Sequence, residues 1–447
     1  MEISTMPKKS TKLTALQNLL EEHQISMETI ERNDTIIQEL KKKAEAVPDH
    51  RHPSYTKHLL SDIIMITFFA LLANANEWGE IESFAKSKES WLRKYLTLPY
   101  GIPTDDTFRL VIGNMNSEHF FQVTIAFLVE VVDKMLQLST ANKEIEEIDI
   151  LSVDGKESRG SGRKQSKYGK IKSLQTLNVY SNQYGMCLAQ KFIEEKTNEI
   201  PAAQEVLRLM DLKHSIVTAD AMNCQKETVE AIIHSKGEYV LCLKKNQGTF
   251  YEEVARYFEE EVCEKLKQRN GCYHKTIEKE HGGIATREYY ITEDVGWYTE
   301  KSLWKKLTSF GMVKKSIKKK SGVVIEEVRY YIGSIKADVF LFERASRGHW
   351  GVENNLHWML DVTFLDDKNT SMARTGAKNL QLMKKIVLAV LNLVKSSYGL
   401  SMKRIRYVVS LNYEEEIEKM LSLLDIDNVK KLLDTKQEKN KKQKLYL

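Results

Sequence analysis

The sequence predicts an α/β protein whose mixed sheet follows a helical amino-terminal unit and is interrupted by a mostly β insertion before its last helices. Three observations carry that expectation. Apolar residues recur three and four apart from about Asp49 to Met135, the period of helices with one buried face. From about Glu147, short β-branched runs alternate with helical segments, the order of a sheet with parallel members. From about Glu264 to Asp338 nearly every segment reads as strand, and the helical pattern resumes at Val339.

In chain order, residues 1–48 form a charged helical extension that stops at Pro48. Residues 49–140 form a helical domain, with breaks at Gly79, Pro99, Gly101 and Pro103. Residues 145–263 form the first part of the core. IDILSVDG is a strand, LQTLNVYSNQYGMCLAQKFIEE is a hairpin turned at Asn182 to Gly185, and IPAAQEVLRLM is a helix with Pro in its first turn. HSIVTAD and EYVLCLKK are strands on either side of CQKETVEAIIHSKG, a helix stopped by Gly237. Residues 264–338 are the insertion, with one helix expected around Ser302 to Leu307. Residues 339–400 complete the core with the helix RGHWGVENNLHWMLDVTF and the amphipathic helix Ala377 to Lys395. Residues 401–447 read as a helical, lysine-rich tail.

The composition sets bounds. A chain of 447 residues is long for one core, and 42% hydrophobic with 29% charged residues, six Pro and 21 Gly excludes wholesale disorder and fibrous repeats. The five Cys, Cys187, Cys224, Cys242, Cys263 and Cys272, include no C-x-x-C pair, which points to a reducing cytoplasm and away from disulfide frameworks and Cys-type zinc fingers. The most apolar run, Ile63 to Ala75, is shorter than the roughly 20 residues that cross a bilayer. The net charge of +5 is mild, but lysines cluster at 41–43, 314–320 and 430–444, which suits a polyanionic partner.

Two aspartates, Asp154 and Asp220, stand where apolar strands give way to polar turns. Either alone is an ordinary turn-former. Together, on neighbouring strands, they project carboxylates into one region that Glu353 can reach from a helix packed on the sheet. On an ideal helix His349, Glu353 and His357 share a stripe, so three readings compete for that glutamate: a surface charge, a zinc site, or the last ligand of a magnesium centre. The helical zinc motif places its histidines four apart, whereas here they are eight apart. Three acidic oxygen donors suit Mg²⁺ or Mn²⁺, and two such ions about 3.5 to 4 Å apart perform phosphodiester chemistry.

SVDGKESRGS (152–161), EKTNEIPA (195–202), VTADAMNCQKE (217–227), YVLCLKKNQ (239–247) and RGHWGVENNLHWMLDVTFLDD (347–367) together resemble the H-repeat-associated group of DDE insertion-sequence transposases, over roughly residues 49–395. The resemblance implies a ribonuclease-H-like core in which Asp154, Asp220 and Glu353 are the catalytic, metal-binding triad. It also implies Mg²⁺ (or Mn²⁺), cleavage and strand transfer at the ends of an insertion sequence, element and target DNA as partners, a homodimer in the synaptic complex, and a bacterial cytoplasmic location.

Related transposases carry Tyr, Arg and Lys around the last Glu, and the corresponding positions here are Ser346, His349 and Leu360. Arg347 and Lys245 are candidates for the missing charge. Lys156, Arg159, Arg163, Lys164 and Lys167 suit phosphate contacts beside the cut, and Trp350 and Trp358 are either core residues or platforms for an unpaired base. The alternatives are a non-catalytic DNA-binding protein derived from a transposase, and a nuclease without strand transfer.

Overall fold

The computed structural model describes residues 21, 23–139, 148–162, 172–193, 198–280, 283–368 and 374–445. Its centre is a nine-stranded mixed sheet: β1 (Asp149–Ser158), β2 (Leu174–Ser181), β3 (Met186–Ile193), β4 (Ser215–Ala219), β5 (Glu238–Leu243), β6 (Tyr273–Glu280), β7 (Gly283–Thr292), β8 (Ser309–Lys319) and β9 (Val324–Gly333). The order across the sheet is β3-β2-β1-β4-β5-β9-β8-β7-β6. β1, β4 and β5 are parallel, and the other pairings are antiparallel. The β2–β3 turn falls at Asn182 to Gly185, where Gly185 takes φ +68°, a conformation that costs glycine nothing.

Side-chain alternation decides what each face meets. Leu151 and Val153 of β1 join Val217 of β4 and Leu241 of β5 in a core closed by the helices Glu199–Leu209 and Lys226–His234, through Ala203, Leu207, Val229 and Ile232. Ile150, Ile216 and Val240 point the other way and pack with Val339, Phe342 and Ala345 of the helix Val339–Gly348.

The strands at 273–333 do not form a separate layer, because β9 pairs with β5 and extends the same sheet. Between β5 and β6 lie two amphipathic helices that strand-like neighbours obscured in the sequence, Thr249–Tyr257 and Glu260–Gln268. The helix expected around Ser302 to Leu307 is a single turn, Lys301–Leu303.

The helical segments from both ends of the chain share one core. Every residue of Leu60–Leu72 is buried, and the helix Arg374–Tyr398 is buried from Gly376 to Val394 except at Lys378. Ile36 and Leu40 from the amino-terminal extension and Ile417, Leu421 and Val429 from the expected tail pack into the same cluster. Residues 402–433 are therefore built into the helical core, because their apolar side chains recur at helical spacing.

The 374–398 helix reads as amphipathic because of Asn379, Gln381, Lys384 and Lys385, yet all four are buried. Each finds a partner inside. Asn379 donates to the carbonyls of Ile112 (2.6 Å), Gly113 and Met115, and Lys384 lies 3.8 Å from Asp366. Arg406, fully buried, donates to the carbonyls of Leu71 and Ala75, satisfying the last turn of the Leu60–Leu72 helix. No helix among the described residues is long and apolar enough to cross a membrane.

Candidate active site

β1 and β4 run side by side in the same direction with Val153 opposite Ala219, so the next residue on each is an aspartate. Asp220 immediately follows β4, and its Oδ1 accepts from the main-chain N–H of Met222 (3.0 Å) and Asn223 (3.3 Å). It is thus a turn-former as well as a projecting acid. Asp154 is not at a strand end. β1 continues to Ser158 against β2, while the neighbouring β4 has stopped, and that leaves the flank of Asp154 uncovered by a strand.

Alternation turns Ser152, Asp154, Lys156 and Ser158 toward residues 348–366. Ser152 Oγ donates to the Gly348 carbonyl (2.8 Å), Asp154 Oδ2 lies 3.4 Å from His357 Nδ1, Lys156 Nζ is bonded to Asp361, and Ser158 Oγ donates to Asp366 Oδ2 (2.8 Å). The close approach depends on two glycines. A Cβ at Gly348 would lie 2.7 Å from Ile150 Cγ2, and one at Gly351 would lie 2.1 Å from Asn182 Oδ1.

The stripe expected from ideal α-helical spacing does not form. Val352–His357 is π-helical, and the wider turn re-aims its side chains. Glu353 is exposed, whereas His357 turns onto Asp154 and Asn178, with Nε2 3.1 Å from Asn178 Nδ2. The zinc reading of His349, Glu353 and His357 is corrected on this ground: both ring nitrogens of His357 already face protein groups. Among the described residues no group of three or more His, Cys, Asp or Glu is arranged to hold a metal ion.

The carboxylates nevertheless feel one another. Asp154 is pushed up to about 7, first by burial and then by the negative charges of Glu199, Glu353 and Asp220, with the Gly155 N–H opposing. Glu199 is a fourth acid that the sequence reading did not single out. It begins the helix Glu199–Leu209 behind Asn198, whose Oδ1 accepts from the Ile200 N–H (3.1 Å). Its Oε2 lies where a Cβ on Gly155 would come within 2.3 Å, and Oε1 accepts from Asn223 Nδ2 (2.8 Å), which also reaches Asp220 Oδ1 at 3.4 Å. Burial raises its pKa, the Asn223 hydrogen bond pulls it back, and Asp220 pushes it up again. The available signal was its place in EKTNEIPA.

Burial also lowers His357 to about 3, helped by Lys156 and Lys385. It lowers His349 to about 4, with Asp220 opposing and Arg329 and Lys244 assisting. Both rings are neutral near pH 7, so His349 does not supply the charge of the arginine it replaces.

The other sequence candidates are scattered. Lys156 faces the cluster but is buried and committed to Asp361, with Asp367 at 3.9 Å. Arg159 is exposed, and its N–H donates to Asp367 Oδ1 (3.0 Å). Lys245 is exposed in the turn after β5, which Asn246 ties to the Ala221 carbonyl beside Asp220 (2.8 Å). Arg347 makes two hydrogen bonds to Glu278 (2.7 and 3.0 Å), and Trp350 is 42% exposed beneath the Arg329 guanidinium, 4.8 Å from the ring centre. These two residues line a groove of about 1050 Å³ between the π-helical segment and β7–β9. Trp358 is exposed. Arg163, Lys164 and Lys167 lie outside the described residues.

Comparison with known proteins places these features in a group. The family described as Transposase DDE domain matches residues 146–391, and the one described as DDE_Tnp_1-associated matches residues 42–128. YncI of Escherichia coli O157:H7 is 34% identical over 389 residues, covering 85% of this chain and 94% of its own. The H repeat-associated protein YhhI of Escherichia coli (strain K12) is 31% identical over 342 residues, covering 74% and 84%. A shorter relative from the same strain, named an inactive transposase, YbfQ, is 36% identical over 78 residues, 17% of this chain and 93% of its own. A piggyBac transposase synaptic complex with hairpin DNA aligns over 90% of this chain and 80% of that one at 12% identity and a TM-score of 0.33, a likeness too slight to bear on the fold.

Proposed function

The chain belongs to the DDE-domain transposase family, and from that premise we propose that it binds the ends of its own insertion sequence and cuts and joins DNA, with Asp154, Asp220 and Glu353 as the catalytic acids. The observation that carries this reading is the juxtaposition of Asp154 and Asp220 on neighbouring parallel strands, where burial, with the charges of Glu199 and Glu353 adding to it, raises Asp154 to about 7. The strand order β3-β2-β1-β4-β5, antiparallel in its first three members and parallel in its last three, supports a ribonuclease-H-like core.

The family implies dependence on a divalent metal, and the acidic donors are of the chemical kind that suits one. They are hard carboxylate oxygens whose mutual repulsion a cation would relieve, and this is the chemistry that Mg²⁺ or Mn²⁺ accepts. Asp154 and Asp220 would hold the cation between them and Glu353 would complete a second position. When bound, such ions activate the attacking oxygen and neutralise the leaving one. The protein's own groups supply orientation. The Met222 and Asn223 amides fix Asp220, the Gly348 and Gly351 contacts bring the Glu353 segment close to Ile150 of β1 and to Asn182, and His357 Nδ1 approaches Asp154 Oδ2 to 3.4 Å. Exposed Lys245, in the turn tied to the Ala221 carbonyl next to Asp220, and exposed Arg159 beyond β1 are the candidates for contacts to a phosphate backbone.

The test is a magnesium-dependent cleavage and joining assay on DNA flanking the gene, comparing wild type with Asp154→Asn and Glu353→Gln. End binding should persist in both variants while strand cleavage disappears. Equal cleavage by all three proteins would overturn the assignment, and binding without cleavage by the wild type would favour a DNA-binding protein that has lost its chemistry.

A further inference from the structure

Behind Asp154 a buried file of polar side chains runs from the helical core to the acid cluster. Lys385, in the middle of the 374–398 helix, is 1% exposed, and its Nζ donates to two amide oxygens, Asn178 Oδ1 and Gln190 Oε1, each at 2.5 Å. Asn178, fully buried on β2, sits opposite Asp154 in the strand register. Its Nδ2 lies 3.2 Å from the Thr176 carbonyl and 3.1 Å from His357 Nε2, and His357 Nδ1 lies 3.4 Å from Asp154 Oδ2.

The directions of these hydrogen bonds are determined by what each group can do. An ammonium only donates, so Asn178 must offer it Oδ1. The carbonyl of Thr176 only accepts, which independently places the Asn178 NH₂ on the side facing His357. An amide NH₂ in turn only donates, so His357 Nε2 is the bare nitrogen and a neutral ring must carry its proton on Nδ1, toward Asp154.

We infer that Lys385 and Asn178 are positioning residues: they lock His357 as its Nδ1–H tautomer, which presents its N–H toward Asp154 Oδ2, 3.4 Å away, and holds that carboxylate in one orientation for a divalent cation. The reading of Asp154 as a metal ligand comes from the proposed function, and the relay is a separate property of the fold. An outer partner that fixes the orientation of a ligating carboxylate usually changes metal affinity by about 10 to 100-fold. A buried lysine whose hydrogen bonds go to amide oxygens and not to a carboxylate is a costly arrangement for packing alone. Its use here is to impose one direction on the whole file.

The experiment is ¹⁵N-histidine NMR on the full-length protein, with the His357 signals identified by their loss in His357→Gln, and with Mn²⁺ affinity measured in the absence of DNA. In the wild type, Nδ1 of His357 should show the protonated type of shift and Nε2 the bare type. Asn178→Asp keeps the shape and pairs with Lys385, but it faces Nε2 with a group that only accepts, so Nε2 should become protonated. Lys385→Met removes one of the two groups that hold the Asn178 amide, so a minor Nε2-protonated signal should appear beside the major one, and Mn²⁺ binding should weaken about tenfold. A protonated Nε2 in the wild type, or an unchanged His357 spectrum in both variants, overturns the relay. If the spectra behave as expected but Asp154→Asn binds Mn²⁺ as well as wild type does, the relay stands and the metal-site reading of Asp154 fails.

Discussion

Two sets of acids gather along β1, and the fold treats them oppositely. Farther along the strand, every charge has an answer: Lys156 is bonded to Asp361, and Asp366 accepts from Ser158 and Gln381 (3.0 Å) with Lys384 at 3.8 Å. Two residues earlier, Asp154 is surrounded by Glu199, Glu353 and Asp220, and the nearest imidazole is neutral. Burial alone does not separate the two, because Asp366 is the more buried yet is held below the ordinary carboxylate range. Burial pushes it up, but the Lys384 ammonium together with the Gln381, Lys156 and Ser158 contacts outweighs that. Paired charge marks architecture here, and unanswered charge marks the place kept for something else.

The comparison breaks most visibly through substitution in the unanswered set. Asp220→Asn should reduce metal-dependent strand cleavage by about 4 kcal/mol or more in transition-state terms, roughly a thousandfold. Its thermal stability should hold or rise, since it removes repulsion. A parallel loss of stability and activity would place Asp220 among the structural acids instead.

The paired set should behave in reverse. Asp366→Asn leaves Lys384 buried without its anion and is expected to cost about 3 to 5 kcal/mol, measured by denaturant unfolding, while Lys384→Met combined with Asp366→Leu should recover most of the loss. The sign with pH follows from the depressed pKa. The stabilisation is complete above the ordinary value of 3.8 and is lost as the pH falls through the lower folded value, so the gap between wild type and Asp366→Asn should narrow only in strong acid.

Metal should distinguish the sets next. Divalent cation at about a hundred times its dissociation constant should stabilise the wild type by about 2.7 kcal/mol, seen as a rise in melting temperature. Asp154→Asn should abolish that rise, and Asp366→Asn, from its lower baseline, should keep it. The smallest effect is expected from Arg347→Gln, because both Arg347 and Glu278 are more than a third exposed. Its unfolding free energy should change by no more than about 1 kcal/mol, and a larger loss would show that the groove-lining pair belongs with the buried architecture.

Much of the sheet was legible because its signals are local. IDILSVDG and HSIVTAD are apolar runs that stop at an acid, and the β2–β3 turn announces itself by Asn182 and Gly185. What the sequence obscured was relational. Glu199 opens a helix and reads as an ordinary first-turn acid until Gly155 is seen beneath it. The π-helical turn at Val352–His357 undoes the stripe that ideal geometry drew through His349, Glu353 and His357.

By itself the sequence determined which segments are strand and which are helix wherever period and turn chemistry agreed, and it named Asp154, Asp220 and Glu353 as candidates. Only the tertiary structure decided which charges are answered. Lys385 looks like the polar edge of an amphipathic helix, and the chain gives no hint that Asn178, far away in sequence, takes its proton donors. Secondary structure follows from interactions between near neighbours along the chain, whereas the charge balance of a buried carboxylate depends on groups that folding brings together from β2, β4, the Glu199–Leu209 helix and the segment around Glu353.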